Sequence, residues 1–173
     1  FKRDAYYLSK IFNEKLTELS CKNFLILRPH NIYGPRMGFS HVIPELIKKM
    51  YFEKNFKTKS TIVYSPNHKR AFCYIDDAIS QIIKLSMSPN IKNDVFNIGN
   101  MQEEIKIIEL AKLLKKLYFD KSRILLGSIT QGSPIRRVPN MKKTNSKTKI
   151  YKNTKLYEGI KKTLNWYISQ FER

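Results

Sequence analysis

The sequence predicts an α/β fold, and three observations carry that expectation. Short apolar runs such as 23–28, 61–64 and 95–99 stop at turn residues, as the buried strands of parallel sheets do. Longer segments, above all 4–20 and 103–118, repeat apolar residues at helical spacing. The two kinds of segment alternate along the chain, with no internal repeat and no long low-complexity linker. A chain of 173 residues is long enough for one domain with a real core. At 42% hydrophobic and 12% aromatic it is globular rather than disordered. No apolar run approaches the roughly 20 residues needed to span a bilayer, so a cytoplasmic protein without a membrane partner is expected.

In chain order, Leu8, Ile11, Phe12, Leu16 and Leu19 predict a helix over 4–20. Asn23–Arg28 reads as a buried strand that ends at Pro29, followed by a loop from His30 to Arg36. Residues 41–53 form a helix with Pro44 in its first turn, where proline is tolerated. Phe56–Ser60 is a polar connection, and Thr61–Tyr64 a strand stopped by Ser65-Pro66-Asn67. Arg70–Asp77 gives a brief strand, with Asp76 or Asp77 capping a helix over 78–87. Val95–Gly99 is a strand and 103–118 a helix with its leucines and isoleucines on one face. After these come a strand at 123–126, an extended Gly132–Pro139, a short Lys-rich helix at 141–150 and a last helix from Leu156.

The net charge of +19 invites a nucleic-acid reading. Against it, Lys far outnumbers Arg, accompanies many Ile, Asn and Phe residues, and is spread over every segment rather than gathered in one block. This is the pattern of AT-rich codons, not of selected phosphate contacts. Cys21 and Cys73 share no metal-like or redox-like spacing and are expected as reduced structural thiols; no metal site is expected.

Tyr6 and Lys10 lie four residues apart, hence on one helix face about a turn from each other. An ammonium held beside a phenol favours the phenolate, and a proton-transfer group works best with a pKa near ambient pH. Tyr6 is therefore a candidate general acid/base. The plain alternative, a packing Tyr and a solvated Lys, stays open on spacing alone. The loop from His30 to Arg36 follows a strand end, where ligands of open α/β sheets bind. The adjacent Arg136 and Arg137 suit bidentate phosphate contacts.

With these segments in place, the chain resembles the extended short-chain dehydrogenase/reductase family, in particular its NAD-dependent nucleotide-sugar epimerases and dehydratases. Tyr6-Tyr7-Leu8-Ser9-Lys10 resembles that family's Y-x-x-S-K. Leu27–Arg36 resembles L-R-x-x-N-x-Y-G-P-R, and Arg70–Asp77 resembles R-x-F-x-Y-V-x-D. Phe96–Gly99, Arg136–Asn140 and the Glu158–Tyr167 ending follow in family order. The resemblance implies the C-terminal part of a Rossmann-like parallel sheet plus a small mixed α/β substrate-binding domain. The first would comprise 1–35 and 70–98, the second 36–69 and 99–173. It also implies NAD as cofactor, a nucleotide-diphosphate sugar (a UDP-sugar) as substrate, and a homodimer.

Roles follow from the same resemblance. Tyr6 would handle the sugar hydroxyl proton and Lys10 the nicotinamide ribose, with Pro29 and His30 beside the nicotinamide. Asn31, Arg70, Arg136 and Arg137 would meet the diphosphate, and Ile43 and Tyr64 the base. Transient oxidation at C4, as in a UDP-sugar 4-epimerase, is the first expectation; UDP-glucuronate decarboxylase and 4,6-dehydratase share the same blocks. The chain departs from the family pattern in four ways. It contains no G-x-x-G-x-x-G, the Ser or Thr partner of the catalytic Tyr is not in it, Asn140 stands where Asp is usual, and the Gly and Pro of a turn near 150–153 are missing. The first two point to a fragment and keep a non-catalytic remnant as a reading from another class, and the net charge keeps a basic nucleic-acid-binding module as a third.

Overall fold

Every strand of the molecule finds its partner far away in sequence. The computed structural model describes residues 2–56 and 60–172. Their order is α1 (Lys2–Ser20), β1 (Leu25–Pro29), β2 (Ile32–Tyr33), α2 (Val42–Phe56), β3 (Thr61–Val63), β4 (Lys69–Ala71), β5 (Cys73–Tyr74), α3 (Ile75–Ser86), β6 (Asp94–Ile98), β7 (Glu104–Lys106), α4 (Ile107–Leu117), β8 (Ile124–Leu126), β9 (Arg136–Arg137), α5 (Lys142–Thr148) and α6 (Leu156–Phe171). β1 pairs with β6, β2 with β5 and β3 with β8, all in parallel. β4 is the centre of a three-stranded sheet, antiparallel to β7 and parallel to β9. Parallel pairs need crossover connections, usually helical, and this is the mixed α/β class expected. Within the Phe56–Ser60 connection, residues 57–59 lie outside the described residues.

The structure corrects several local expectations. The segment 103–118 is not helical throughout: Glu104–Lys106 is β7, because Ile105 pairs with Arg70 across the sheet. Tertiary pairing overrides helix propensity there. α4 then starts with the Glu109 carboxylate accepting from the Lys106 backbone N–H at 3.1 Å. Neither Asp76 nor Asp77 caps α3, which begins at Ile75 with Tyr74 as N-cap. Both carboxylates fall in its first turn, where negative charge suits the helix dipole. Asp77 accepts from the backbone N–H and hydroxyl of Thr154 at 2.8 and 3.1 Å, tying α3 to the approach to α6. The loop from His30 contains β2. The first strand is half-buried to exposed rather than buried, with no strand on its second edge among the described residues.

Two apolar clusters hold these elements. The larger joins α2, α4 and α6 through Ile43, Ile47, Met50, Leu110, Leu114, Ile160 and Leu164, with Tyr33 and Tyr167. Burying each such aliphatic side chain is worth about 1.5–3 kcal/mol. The smaller gathers Cys73, Ala78, Leu85, Phe96 and Ile98 between α3 and the β1–β6 pair. α6 approaches Tyr33 and Tyr74 so closely that a Cβ on Gly159 would lie 2.1 Å from the Tyr33 Oη. After α5, Lys149 takes the left-handed conformation (φ 58°) that glycine favours. The turn thus survives without a glycine.

α1 is built differently. Its side chains belong to neither cluster, and Leu8, Ile11, Phe12, Leu16 and Leu19 are exposed. Arg28 on β1 grips it, donating from both Nε (2.8 Å) and Nη2 to the Glu14 carboxylate. That hydrogen bond holds the Glu14 carboxyl below its ordinary range. A carboxylate whose pKa is lower folded than unfolded stabilises above its unfolded pKa, and the contribution disappears as pH falls through the folded one.

Two outcomes are expected. Gly159→Ala lowers the urea midpoint by the equivalent of about 1–3 kcal/mol, the usual cost of overpacking. A gain of about 1 kcal/mol, the helix preference of Ala over Gly, would mean that α6 does not press on Tyr33. Amide protection in α1, followed by hydrogen exchange, holds from neutral pH to about 4.5 and then declines ahead of that in α4. Glu14→Gln reproduces the loss at neutral pH. Equal protection of α1 at pH 7 and about pH 3 would remove the Glu14 tether from the account.

Candidate functional site

The site begins with a register. β9 runs parallel to β4 with Arg136 opposite Lys69 and Arg137 opposite Arg70. Successive strand residues point to opposite faces, so Arg70 and Arg137 share one face and Arg136 takes the other. There Arg136 donates from Nε and Nη2 to the Glu104 carboxylate at 2.8 and 2.9 Å. The sequence expectation that paired Arg136 with Arg137 at one site is corrected by this alternation: Arg136 lines none of the cavities described below.

Arg70 and Arg137 line a cavity of about 330 Å³ together with Asn31, Phe72, Ser133 and the first turn of α2. Neither guanidinium has a carboxylate partner among the described residues. Burial, and then the neighbouring Arg137 charge, lower the pKa of Arg70. Two like charges held together at a cavity wall favour an anion between them.

One end of this cavity reaches Tyr64, over whose ring Lys49 Nζ lies 5.3 Å from the centroid. Lys49 is also paired with Glu45, one turn earlier in α2. Tyr64, Glu45 and Lys49 are shared with a more apolar hollow of about 610 Å³ walled by Phe39 and Phe52. At the other end, Asn31, His41, Val42, Phe72 and Arg137 are shared with a cavity of about 570 Å³ that contains Tyr6, Pro29, Met37 and Ile43. The three spaces form one cleft from Tyr6, past the guanidinium groups, to Tyr64.

At the Tyr6 end, Lys10 Nζ lies 5.4 Å from the Tyr6 ring centroid, on the shared helix face. Ser9 donates to the Tyr6 carbonyl at 2.7 Å. The neighbouring Tyr7 hydroxyl accepts from Arg137 Nη2 at 3.4 Å. Asn31, at φ 45°, donates its side-chain amide to the Ala71 carbonyl at 2.9 Å and, at 3.5 Å, to that of Arg137. Its N–H groups therefore fasten the start of β2 to β4 and β9. The His30 ring faces Asn97 (3.3 Å) and lines none of these cavities; burial lowers its pKa. Ile43 is fully buried and borders the Tyr6 cavity, not the Tyr64 end. His41, Val42, Lys49 and Ser133 line the cleft without having been marked by the sequence. Helical periodicity does not distinguish a cleft-facing Lys49 from a solvated one. Among the described residues no three or more His, Cys, Asp or Glu side chains gather as metal ligands, and no helix is long and apolar enough to cross a membrane.

Comparison with known proteins gives this cleft its context. The profile of the NAD dependent epimerase/dehydratase family matches residues 2–99. The chain belongs to that family. It is 29% identical over 148 residues to UDP-glucuronic acid decarboxylase 1 of Xenopus tropicalis, covering 85% of this chain and 34% of the relative. To the GDP-L-fucose synthase of Dictyostelium discoideum it is 26% identical over 176 residues, 99% of this chain and 53% of the relative. The crystal structure of UDP-glucuronic acid 4-epimerase from Bacillus cereus, in complex with UDP-glucuronic acid and NAD, superposes with a TM-score of 0.84 at 25% identity. That match covers 96% of this chain and 52% of the other. The chain thus spans between a third and about half the length of these relatives.

The shared face of Arg70 and Arg137 predicts an anion site that can be measured without knowing the reaction. Inorganic pyrophosphate raises the thermal midpoint of the protein, and Arg137→Met reduces the effect, whereas Arg136→Met leaves it in place. An equal loss in both variants would place the anion outside the cleft.

Proposed function

We propose that this chain carries the proton-transfer and nucleotide-sugar-binding part of an NAD-dependent UDP-sugar 4-epimerase. The observation that carries the reading is the continuity of the cleft, with Tyr6 at one end, the two guanidinium groups midway and Tyr64 at the other. A nucleotide sugar has the same order of parts: a neutral sugar, a doubly charged diphosphate and a flat base. In this reading 1–35 with 70–98 is the remainder of the NAD-binding domain, and 36–69 with 99–173 binds the nucleotide sugar.

Each residue then has a task. Arg70 and Arg137 hold the diphosphate by charge-assisted hydrogen bonds. Asn31 keeps β9, and so Arg137, in place against β4. Tyr64 offers its ring to the base. Tyr6 Oη takes the proton of the sugar 4-hydroxyl and later returns it, and Lys10 supplies the positive charge beside it.

The residues present fit the nicotinamide-ribose end of NAD. The Tyr6 phenol stands at a cavity with apolar walls at Pro29, Met37 and Ile43, and the Lys10 ammonium lies over its ring, a pair capable of meeting a ribose hydroxyl. Tyr6, Lys10 and Pro29 would hold that end, with His30 behind Pro29. When bound, NAD supplies the hydride acceptor for oxidation at C4. A G-x-x-G-x-x-G loop for the pyrophosphate of NAD does not occur in the 173 residues, so turnover belongs to a polypeptide or assembly that includes one. A homodimer would use the exposed apolar side chains of α1.

The similarity to a UDP-glucuronic acid decarboxylase supports a second reading, decarboxylation after the same oxidation. Both are tested by incubating the polypeptide or assembly that includes the G-x-x-G-x-x-G loop with NAD and UDP-sugars and following the products by proton NMR. Inversion at C4 supports the epimerase, and release of carbon dioxide from UDP-glucuronic acid supports the decarboxylase. Binding of UDP with no turnover of any UDP-sugar would leave a non-catalytic remnant. In either enzyme, Tyr6→Phe lowers kcat by roughly 10²–10⁴-fold, the range for positioned acid–base groups, with UDP affinity within twofold. Unchanged turnover would remove Tyr6 from the chemistry.

A further inference from the structure

Ser133 lines the cleft and His68 lies beside it, and the proposed function leaves both without a task. His68 is buried (4% exposed) in the turn before β4. Its ring Nδ1 lies 3.3 Å from the Ser133 Oγ, and that oxygen is 2.9 Å from Arg70 Nη2. The chemistry fixes the direction of the contact with Arg70. A guanidinium only donates, whereas a hydroxyl has one proton and two lone pairs. Ser133 therefore accepts from Arg70, and its own proton or its second lone pair meets His68 Nδ1 according to the imidazole tautomer.

The backbone holds both ends still. His68 N–H donates to the Ser65 carbonyl at 2.9 Å, and the Ile107 N–H donates to the His68 carbonyl at 3.0 Å. Ser133 N–H donates to the Thr130 carbonyl at 3.1 Å, and the Thr130 N–H donates to the Ser65 hydroxyl at 2.9 Å. The serine hydroxyl is thus clamped between a rigid turn and a guanidinium. Arg70 is further steadied from its own strand, since Nη1 donates to the Lys69 carbonyl at 2.7 Å. Five N–H donors on the guanidinium exceed these contacts, so donors remain for a ligand in the cavity that Arg70 and Ser133 both line.

We propose that Ser133, oriented by His68, is a positioning residue that presents the Arg70 guanidinium to the diphosphate of the substrate. This rests on the reading of the cleft as a nucleoside-diphosphate site. An arginine side chain loses considerable rotamer freedom when it binds, and a partner that orders it beforehand lowers that cost. The repulsion from Arg137 gives Arg70 a reason to swing away, and the hydroxyl opposes it.

The test is calorimetric titration of UDP into the unmodified protein and into Ser133→Ala, Ser133→Thr and Arg70→Met, with the urea midpoint of each measured without ligand. His68→Gln is informative only if it folds, so the serine variants carry the test. Ser133→Ala is expected to raise the Kd for UDP roughly tenfold, the scale of one hydrogen bond to a charged group, with its urea midpoint unchanged. Ser133→Thr, which keeps the hydroxyl, restores binding. In turnover, KM rises and kcat stays. Wild-type affinity in Ser133→Ala with weak binding in Arg70→Met overturns the positioning role while leaving the cleft reading intact. A fall in the urea midpoint of Ser133→Ala large enough to account for its binding loss makes the serine merely structural and also overturns it. Failure of UDP to bind the unmodified protein, or binding indifferent to Arg70, removes the cleft reading and this inference with it.

Discussion

Sliding β9 by one residue against β4 would exchange the environments of two neighbouring arginines. Arg137 would turn toward Glu104 and Arg136 would enter the cavity beside Arg70. The observed register, Arg70 opposite Arg137, prevents this, and a two-residue strand has little ladder of its own to defend it. The register is defended from outside the strand. The Lys69 N–H donates to the Ile135 carbonyl at 2.8 Å, the Asn31 amide reaches the Arg137 carbonyl, and Arg136 is locked on the far face by a bidentate carboxylate. An ion pair exposed to solvent adds little stability. Here Glu104 contributes by specificity, because it gives Arg136 a reason to be on the wrong side of the sheet for the cleft.

The consequence is a cavity whose wall holds two guanidinium groups without a carboxylate partner among the described residues. A fold with no use for them would gain by separating the charges or by adding a carboxylate, as it does at Glu14–Arg28 and Glu104–Arg136. The depressed pKa of Arg70, from burial and then from Arg137, is the mark of that unrelieved proximity. Perturbed ionisation in a cleft is characteristic of sites that do chemistry or bind charge. At the ends of the cleft, Phe39 and Phe52 on one side and Met37 and Ile43 on the other suit uncharged parts of a ligand.

The sequence made the α/β class and the Tyr6–Lys10 pair legible because both depend on local spacing: alternation of segments in one case, one helical turn in the other. What it hid depends on pairing at a distance. Glu104–Lys106 carries ordinary helical residues and becomes a strand only because β4 offers an edge. Asp76 and Asp77 have the composition of a cap, yet α3 starts a residue before them and Asp77 is drawn to Thr154. The choice between Arg136 and Arg137 cannot be made from two adjacent identical residues, since only the register assigns faces. Ser133 reads as an ordinary turn residue beside Gly132 and Pro134 until the fold sets it between Arg70 and His68.

The most telling contrast is between the two ends of the cleft in how firmly they are held. Tyr64 follows a strand whose Thr61 amide and hydroxyl both donate to Glu53, a carboxylate that also accepts from the Arg123 amide and so binds α2, β3 and β8 together. Tyr6 stands on α1, whose apolar face packs on neither core cluster and which touches the site through the Tyr7 hydroxyl on Arg137. An amphipathic helix draws most of its stability from the surface that covers its apolar face rather than from its own propensity. Geometry at the Tyr6 end is correspondingly sensitive to whatever covers Leu8, Ile11 and Phe12, whereas the two guanidinium groups midway stand on paired strands. In the proposed reading, anion binding and proton transfer are therefore separable in this chain. The first rests on packed strands, and the second on a helix that its neighbours must hold in place.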